Sequence, residues 1–124
     1  MRINPLLLCI PSLAMAACSQ AAAIAPDASN DRNCAIVGIV FAKAGQAMGA
    51  PEKQQNAIRV VSAWYVAKWQ REDPGARAEM DETSADPVVK AIDADLKSYQ
   101  QMMKDCTERA VEDPEFNRFA ERTR

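Results

Sequence analysis

The chain of 124 residues contains no histidine. That removes Ser-His-Asp and Cys-His nucleophilic catalysis, imidazole-ligated metals and the side chain that most readily switches charge near neutral pH. Glycine is scarce at four residues, and none belongs to a phosphate-cradling loop. Long apolar runs are missing as well. A helix needs ~20 apolar residues to span a bilayer, whereas Leu6 to Leu13 is short and interrupted by Pro11, and Cys34 to Ala42 ends at Lys43. Positive charge is not in excess. Fifteen Lys and Arg face 17 Asp and Glu, the basic residues are dispersed, and nothing tracks a phosphate backbone, so no nucleic-acid partner is expected.

What is present fits one small globular domain, with 48% hydrophobic and 26% charged residues. Its first 17 residues read as an export signal. Arg2 supplies the positive start, Leu6 to Leu13 the apolar centre, and Ala14-Met15-Ala16 the small residues of a cleavage site. Met15-Ala16-Ala17-Cys18-Ser19 also resembles a bacterial lipobox, with Met15 where Leu is usual, which makes Cys18 a candidate for lipidation. Cysteine parity separates the two readings. Cleavage after Ala16 leaves Cys18, Cys34 and Cys106, an odd number for an oxidising compartment, and lipidation of Cys18 or a later cut removes the surplus thiol. Residues 18–30, rich in Ala and Ser, read as a flexible tether ahead of a domain at 31–124. The expected address is the bacterial envelope, as a periplasmic protein or a lipoprotein touching the membrane through Cys18.

From Asp31 onward the apolar residues recur at three and four, so the fold class is all-α, a small bundle of three main helices plus short ones. Asp73-Pro74, Asp86-Pro87 and Asp113-Pro114 place a capping carboxylate before a residue favoured at the first helical position. Helix one is predicted over Asp31 to Met48, with Cys34, Val37, Phe41, Ala44 and Met48 on its main stripe. Gly38, Ala42, Gly45 and Gly49 form a second, small-residue stripe for close helix approach. Helix two, Pro51 to Arg71, turns Ala57, Ile58, Val61, Trp64, Tyr65 and Trp69 inward and leaves Glu52, Lys53, Arg59 and Lys68 in solvent. A short third helix is predicted over Pro74 to Asp81. Helix four spans Pro87 to Val111 with a seam of Val88, Ile92, Leu96, Tyr99, Met103, Cys106 and Ala110, and a last short helix, Asp113 to Arg122, folds back with Phe116 and Phe119.

One covalent bond ties these segments together. After signal removal Cys34 and Cys106 are expected to pair, which lays helix one antiparallel to helix four. Equal rise per residue then sets Phe41 opposite Tyr99 and Met48 opposite Ile92. Redox or metal roles for these thiols are disfavoured, because no Cys-x-x-Cys pair exists.

Candidate functional residues each have a plainer reading. Trp64, Tyr65 and Trp69 form a partner or ligand surface if exposed, and core if they continue the apolar stripe of helix two. Met48, Met80, Met102 and Met103 read as core filling ahead of an adaptable binding face. The acidic stretch Glu72 to Asp86 matches no calcium loop and reads as a solvated edge, Asp93 and Asp95 cannot share a helix face, and Arg118, Arg122 and Arg124 read as helix-terminal cations without a role. No catalytic constellation, metal set or cofactor is implied.

The expectation is therefore a non-catalytic binding or structural module of the envelope with an unknown protein partner. Two alternatives stand beside it. Acid-activated periplasmic chaperones, small exported helical proteins with one long-range disulfide, are similar in size, compartment and cysteine number; a lipid or small-ligand carrier requires an apolar cavity beside Trp64 and Trp69.

Overall fold

The structure is a computed structural model that describes residues 24–77 and 85–123; among them there are helices and no strands. The export signal at 1–17, Cys18, Met80 and Arg124 lie outside the described residues. Local chemistry sets the first helix, α1 (Asp31–Ala47). The Asn30 side chain accepts the Asn33 N–H at 3.1 Å to cap it. At its far end Gly49 takes φ 69°, and bonds from Gly49 N–H to the Gln46 carbonyl and from Ala50 N–H to the Gly45 carbonyl close a Schellman turn. The chain then reverses into α2 (Glu52–Glu72).

The reversal packs α2 against α1 at close range. A Cβ added to Gly38 would run into the Ser62 hydroxyl and sit 3.1 Å from its Cβ. Ser62 is itself held, donating to the Ile58 carbonyl at 2.7 Å. Of the small-residue stripe, Gly38 is the member at which the second helix presses. The helix-two stripe begins later than predicted: Val61, Trp64, Tyr65 and Trp69 are buried, but Ile58 is half-buried and Ala57 exposed. Lys68, expected in solvent, lies 5.7 Å from the Trp64 ring.

Helix four is two helices, α3 (Ala85–Ala94) and α4 (Leu96–Val111). Asp95 breaks them, because its carboxylate competes for backbone N–H groups and accepts from Ser98, capping a new helix instead of continuing the old one. Leu96, predicted in the seam, is consequently 47% exposed, while the other six seam residues are buried. Asp86 was expected as a cap but falls inside the first turn of α3, and the helix predicted from Pro74 begins at Ala76, its remainder lying outside the described residues. Asp113 does cap the last helix, α5 (Pro114–Arg122), accepting the Glu115 N–H at 2.9 Å with Pro114 at the first helical position.

The Cys34–Cys106 disulfide joins α1 to α4 across 72 positions of sequence, with Cα atoms 6.0 Å apart. Near it the antiparallel register holds the core together, with Val37, Tyr99, Met102 and Met103 all buried. Farther along it loosens. Met48, predicted opposite Ile92 on the inner stripe, is 83% exposed, since the bend at Asp95 leaves the last turn of α1 uncovered. Of the tether expected over 18–30, residues 18–23 lie outside the described residues. Ile24 is buried, its carbonyl accepts the Tyr99 hydroxyl at 2.8 Å, and Ala28 packs on the core, so residues 24–30 belong to the folded body.

Two outcomes follow for stability. Reducing the bridge restores loop-closure entropy to the unfolded chain, ~4 kcal/mol in the chain-entropy model, so a melting scan should show Tm lowered by roughly 15 °C or more; an unchanged transition contradicts the role given to the staple. Gly38→Ala gains helix propensity of ~1 kcal/mol but forces α1 away from Ser62 and is expected to destabilise by ~1–3 kcal/mol in urea titration. Adding Ser62→Ala should recover part of that loss, and no recovery would place the strain elsewhere.

Candidate functional site

Three features stand out, one of them at the staple. Both sulfurs are fully buried, which closes the bond to reagents in solution while the fold persists. The Tyr65 hydroxyl donates to the Cys106 carbonyl at 2.5 Å, and the Arg109 guanidinium lies 4.8 Å over the Tyr65 ring. Arg109 also donates to Asp31 at 2.8 Å, and Lys68 stands 3.6 Å from the same carboxylate. One carboxylate at the start of α1 thus gathers cations from α2 and α4, in a place where Arg109 Nε is buried with no partner among the described residues. Burial pushes the Tyr65 hydroxyl up to about 12, with Arg109 offsetting part of the effect. This cluster has the chemistry of a clamp, with a single carboxylate and no free nucleophile. Among the described residues no group of three or more Cys, Asp or Glu is placed to hold a metal ion.

A second feature is a cleft of about 590 Å³ between α2 and α5. Trp64, Ala67 and Arg71 follow one another at helical spacing on α2, and Glu115, Arg118 and Arg122 do so on α5, so two matched flanks face each other. Their spacing is set by stacking beneath them: Phe116 meets Trp64 edge-on at 5.8 Å, and Phe119 tilts against it at 5.6 Å. Ala67 is too small to close the gap. Three arginines and one glutamate therefore line a space together with Trp64, Ala67, Gln70 and Phe119.

The third is an apolar groove of about 470 Å³ at the opposite end of the bundle, where the bend at Asp95 parts the helices. Phe41 of α1, Met48 just past its end, Ile58 of α2, Ile92 of α3 and Leu96 and Met103 of α4 line it.

Cys34 and Cys106 are thus joined, whereas Cys18 lies outside the described residues. Trp64, Tyr65 and Trp69 are 4%, 1% and 4% exposed, so they form core and not a free surface. Arg32 lies 5.9 Å from the Trp69 ring, and the cleft between α2 and α5 is lined by Trp64 and not by Trp69. Met102 is buried. Arg118 and Arg122, read from sequence with Arg124 as helix-terminal cations without a role, share a cleft with Arg71. Their spacing of four marks a common flank of α5, but the partner on α2 is visible only once the two helices are docked. Asp31 and Arg109 were missed for the same reason, since they are 78 residues apart and each reads alone as a surface charge. No protein family, curated protein or solved structure compared with the chain matches it.

The Tyr65 environment makes a pH prediction. A hydroxyl raised above its ordinary value near 10 stabilises the fold fully below pH ~10, and that contribution is lost as pH rises toward 12. Absorbance of tyrosinate and helical circular dichroism should therefore change together in this window. Tyr65→Phe should cost ~1 kcal/mol at neutral pH through the lost hydrogen bond while removing its part of the alkaline loss. Ionisation of both tyrosines near pH 10 with the helices intact would contradict the burial argument.

Proposed function

We propose that this chain is a small exported module of the bacterial envelope that binds rather than catalyses, held together by its disulfide. The fully buried Cys34–Cys106 bridge is the observation that carries the reading, because disulfides of this structural kind persist in oxidising compartments. The three-part layout of residues 1–17 and the lipobox-like Met15 to Ser19 support the same address. On this reading Cys18 carries the lipid anchor, and a soluble periplasmic form cleaved nearby is the alternative. Among the described residues no helix is long and apolar enough to cross a membrane, which suits either form.

Two surfaces support binding as the activity: the cationic cleft of α2 and α5, and the apolar groove at the other end. The groove favours a second reading, capture of an apolar client or ligand in the manner of a chaperone or carrier, with Met48, 83% exposed, as a large apolar side chain on its wall. For a carrier, the cleft lined by Trp64 is the cavity available near the two tryptophans, while the Trp69 ring is packed in the core.

Mass spectrometry of the native protein tests the address. The expected product begins at Cys18 with acyl chains, or starts unacylated at a nearby cut, and in both cases has no free thiol at Cys34 or Cys106. A chain retaining Met1 with both thiols reduced would overturn the proposal.

A further inference from the structure

We infer that the cleft between α2 and α5 is a binding site for a phosphate-bearing dianion held beside an aromatic ring. The inference deepens the binding reading and does not depend on export. Arg71 from α2 and Arg118 and Arg122 from α5 rim one space of about 590 Å³, and Glu115 is the carboxylate among them. Three cations against one anion leave two positive charges in excess, the charge that a phosphate monoester neutralises and a single carboxylate does not. Local sign matters here because the whole chain is net negative, at −2. A free anion is repelled by the molecule at large and attracted at this place.

Among the described residues no hydrogen bond or ion pair engages the guanidinium of Arg71, Arg118 or Arg122; the Lys68–Asp31 and Arg109–Asp31 pairs belong to the clamp at the staple. Guanidinium forks bind phosphate through paired N–H groups, and forks from two helices converge on several oxygens of one group. The cleft stays open because Ala67 lines it with a single methyl group, while the Trp64, Phe116 and Phe119 ring contacts hold the two helices apart. Phe119, half-buried at the edge, supplies a ring for the organic part of an ester. Inorganic phosphate and a phosphate-headed lipid share this chemistry, and the ring favours the ester.

The test uses the purified full chain with two probes, inorganic phosphate and dihexanoyl phosphatidic acid below its micelle concentration. Arginine Nε–H and Trp64 indole resonances should shift saturably with at least one of them. Tighter binding of the lipid assigns the headgroup as the source, and equal binding assigns free phosphate. Arg71→Gln and Arg118→Gln, both at exposed positions, should each weaken binding at least tenfold, and Ala67→Leu should do so without changing any charge. Lys43→Gln, an exposed cation on α1, should leave it within twofold. Absence of saturable shifts with both probes would overturn the inference, and so would an equal loss in Lys43→Gln, which would mean that net charge alone is being measured. Either failure leaves the N-terminus and the thiol state, which test export, untouched.

Discussion

A single sulfur bridge between the first turn of α1 and the fourth turn of α4 is the constraint on which this small bundle depends. A domain of this length has a high ratio of surface to core, and a covalent closure over most of its sequence compensates for the burial it lacks. The bridge also determines what surrounds it. With α1 and α4 fixed at one end, Tyr65 of α2 is positioned to reach the Cys106 carbonyl, and the ring it presents becomes a platform for Arg109. Burial is deep here, with both cysteines, Ala35, Val37 and Ala110 at or near zero exposure. Exposure rises toward the far end, where Met48 and Leu96 face solvent on either side of the break at Asp95.

The Asp31 cluster shows how charge is accommodated next to that core. Arg109 and Lys68 come from different helices, and a carboxylate in the first turn of α1 suits both the helix dipole and the two cations. Aromatic faces take part as well, since Arg109, Lys68 and Arg32 each lie over a ring, of Tyr65, Trp64 and Trp69 respectively. The long stems of these side chains cover apolar rings that would otherwise meet water. The same end of the molecule is therefore apolar within and cationic outside, and the α2–α5 cleft continues that pattern around the bundle.

Much of this was legible in the sequence wherever a local rule and a long-range rule agreed. Cysteine pairing and helical periodicity both placed Cys34 and Cys106 on inner stripes, and Asp113-Pro114 marked the start of α5 to the residue. The helix break at Asp95 was not legible, because the apolar spacing runs through it without a fault; only the capping of Ser98 N–H reveals that a second helix begins. Met48 and Leu96 follow from that break, since periodicity assigns a face and does not say whether another element reaches it. Ile24 was missed for the opposite reason. It stands alone among Ala and Ser, so composition reads as linker, while one buried side chain and one hydrogen bond from Tyr99 suffice to dock it. The cleft had half its signal in the spacing of Arg118 and Arg122, and the other half, Arg71, arrives only through tertiary packing.

Were Cys18 acylated, as proposed, the docking of Ile24 would set the leash of the bundle. Six steps of backbone reach roughly 20 Å at full stretch. A bundle on so short a standoff would ride close above the headgroups and sweep little volume, which would confine its encounters to targets at the bilayer face or in the layer just above it.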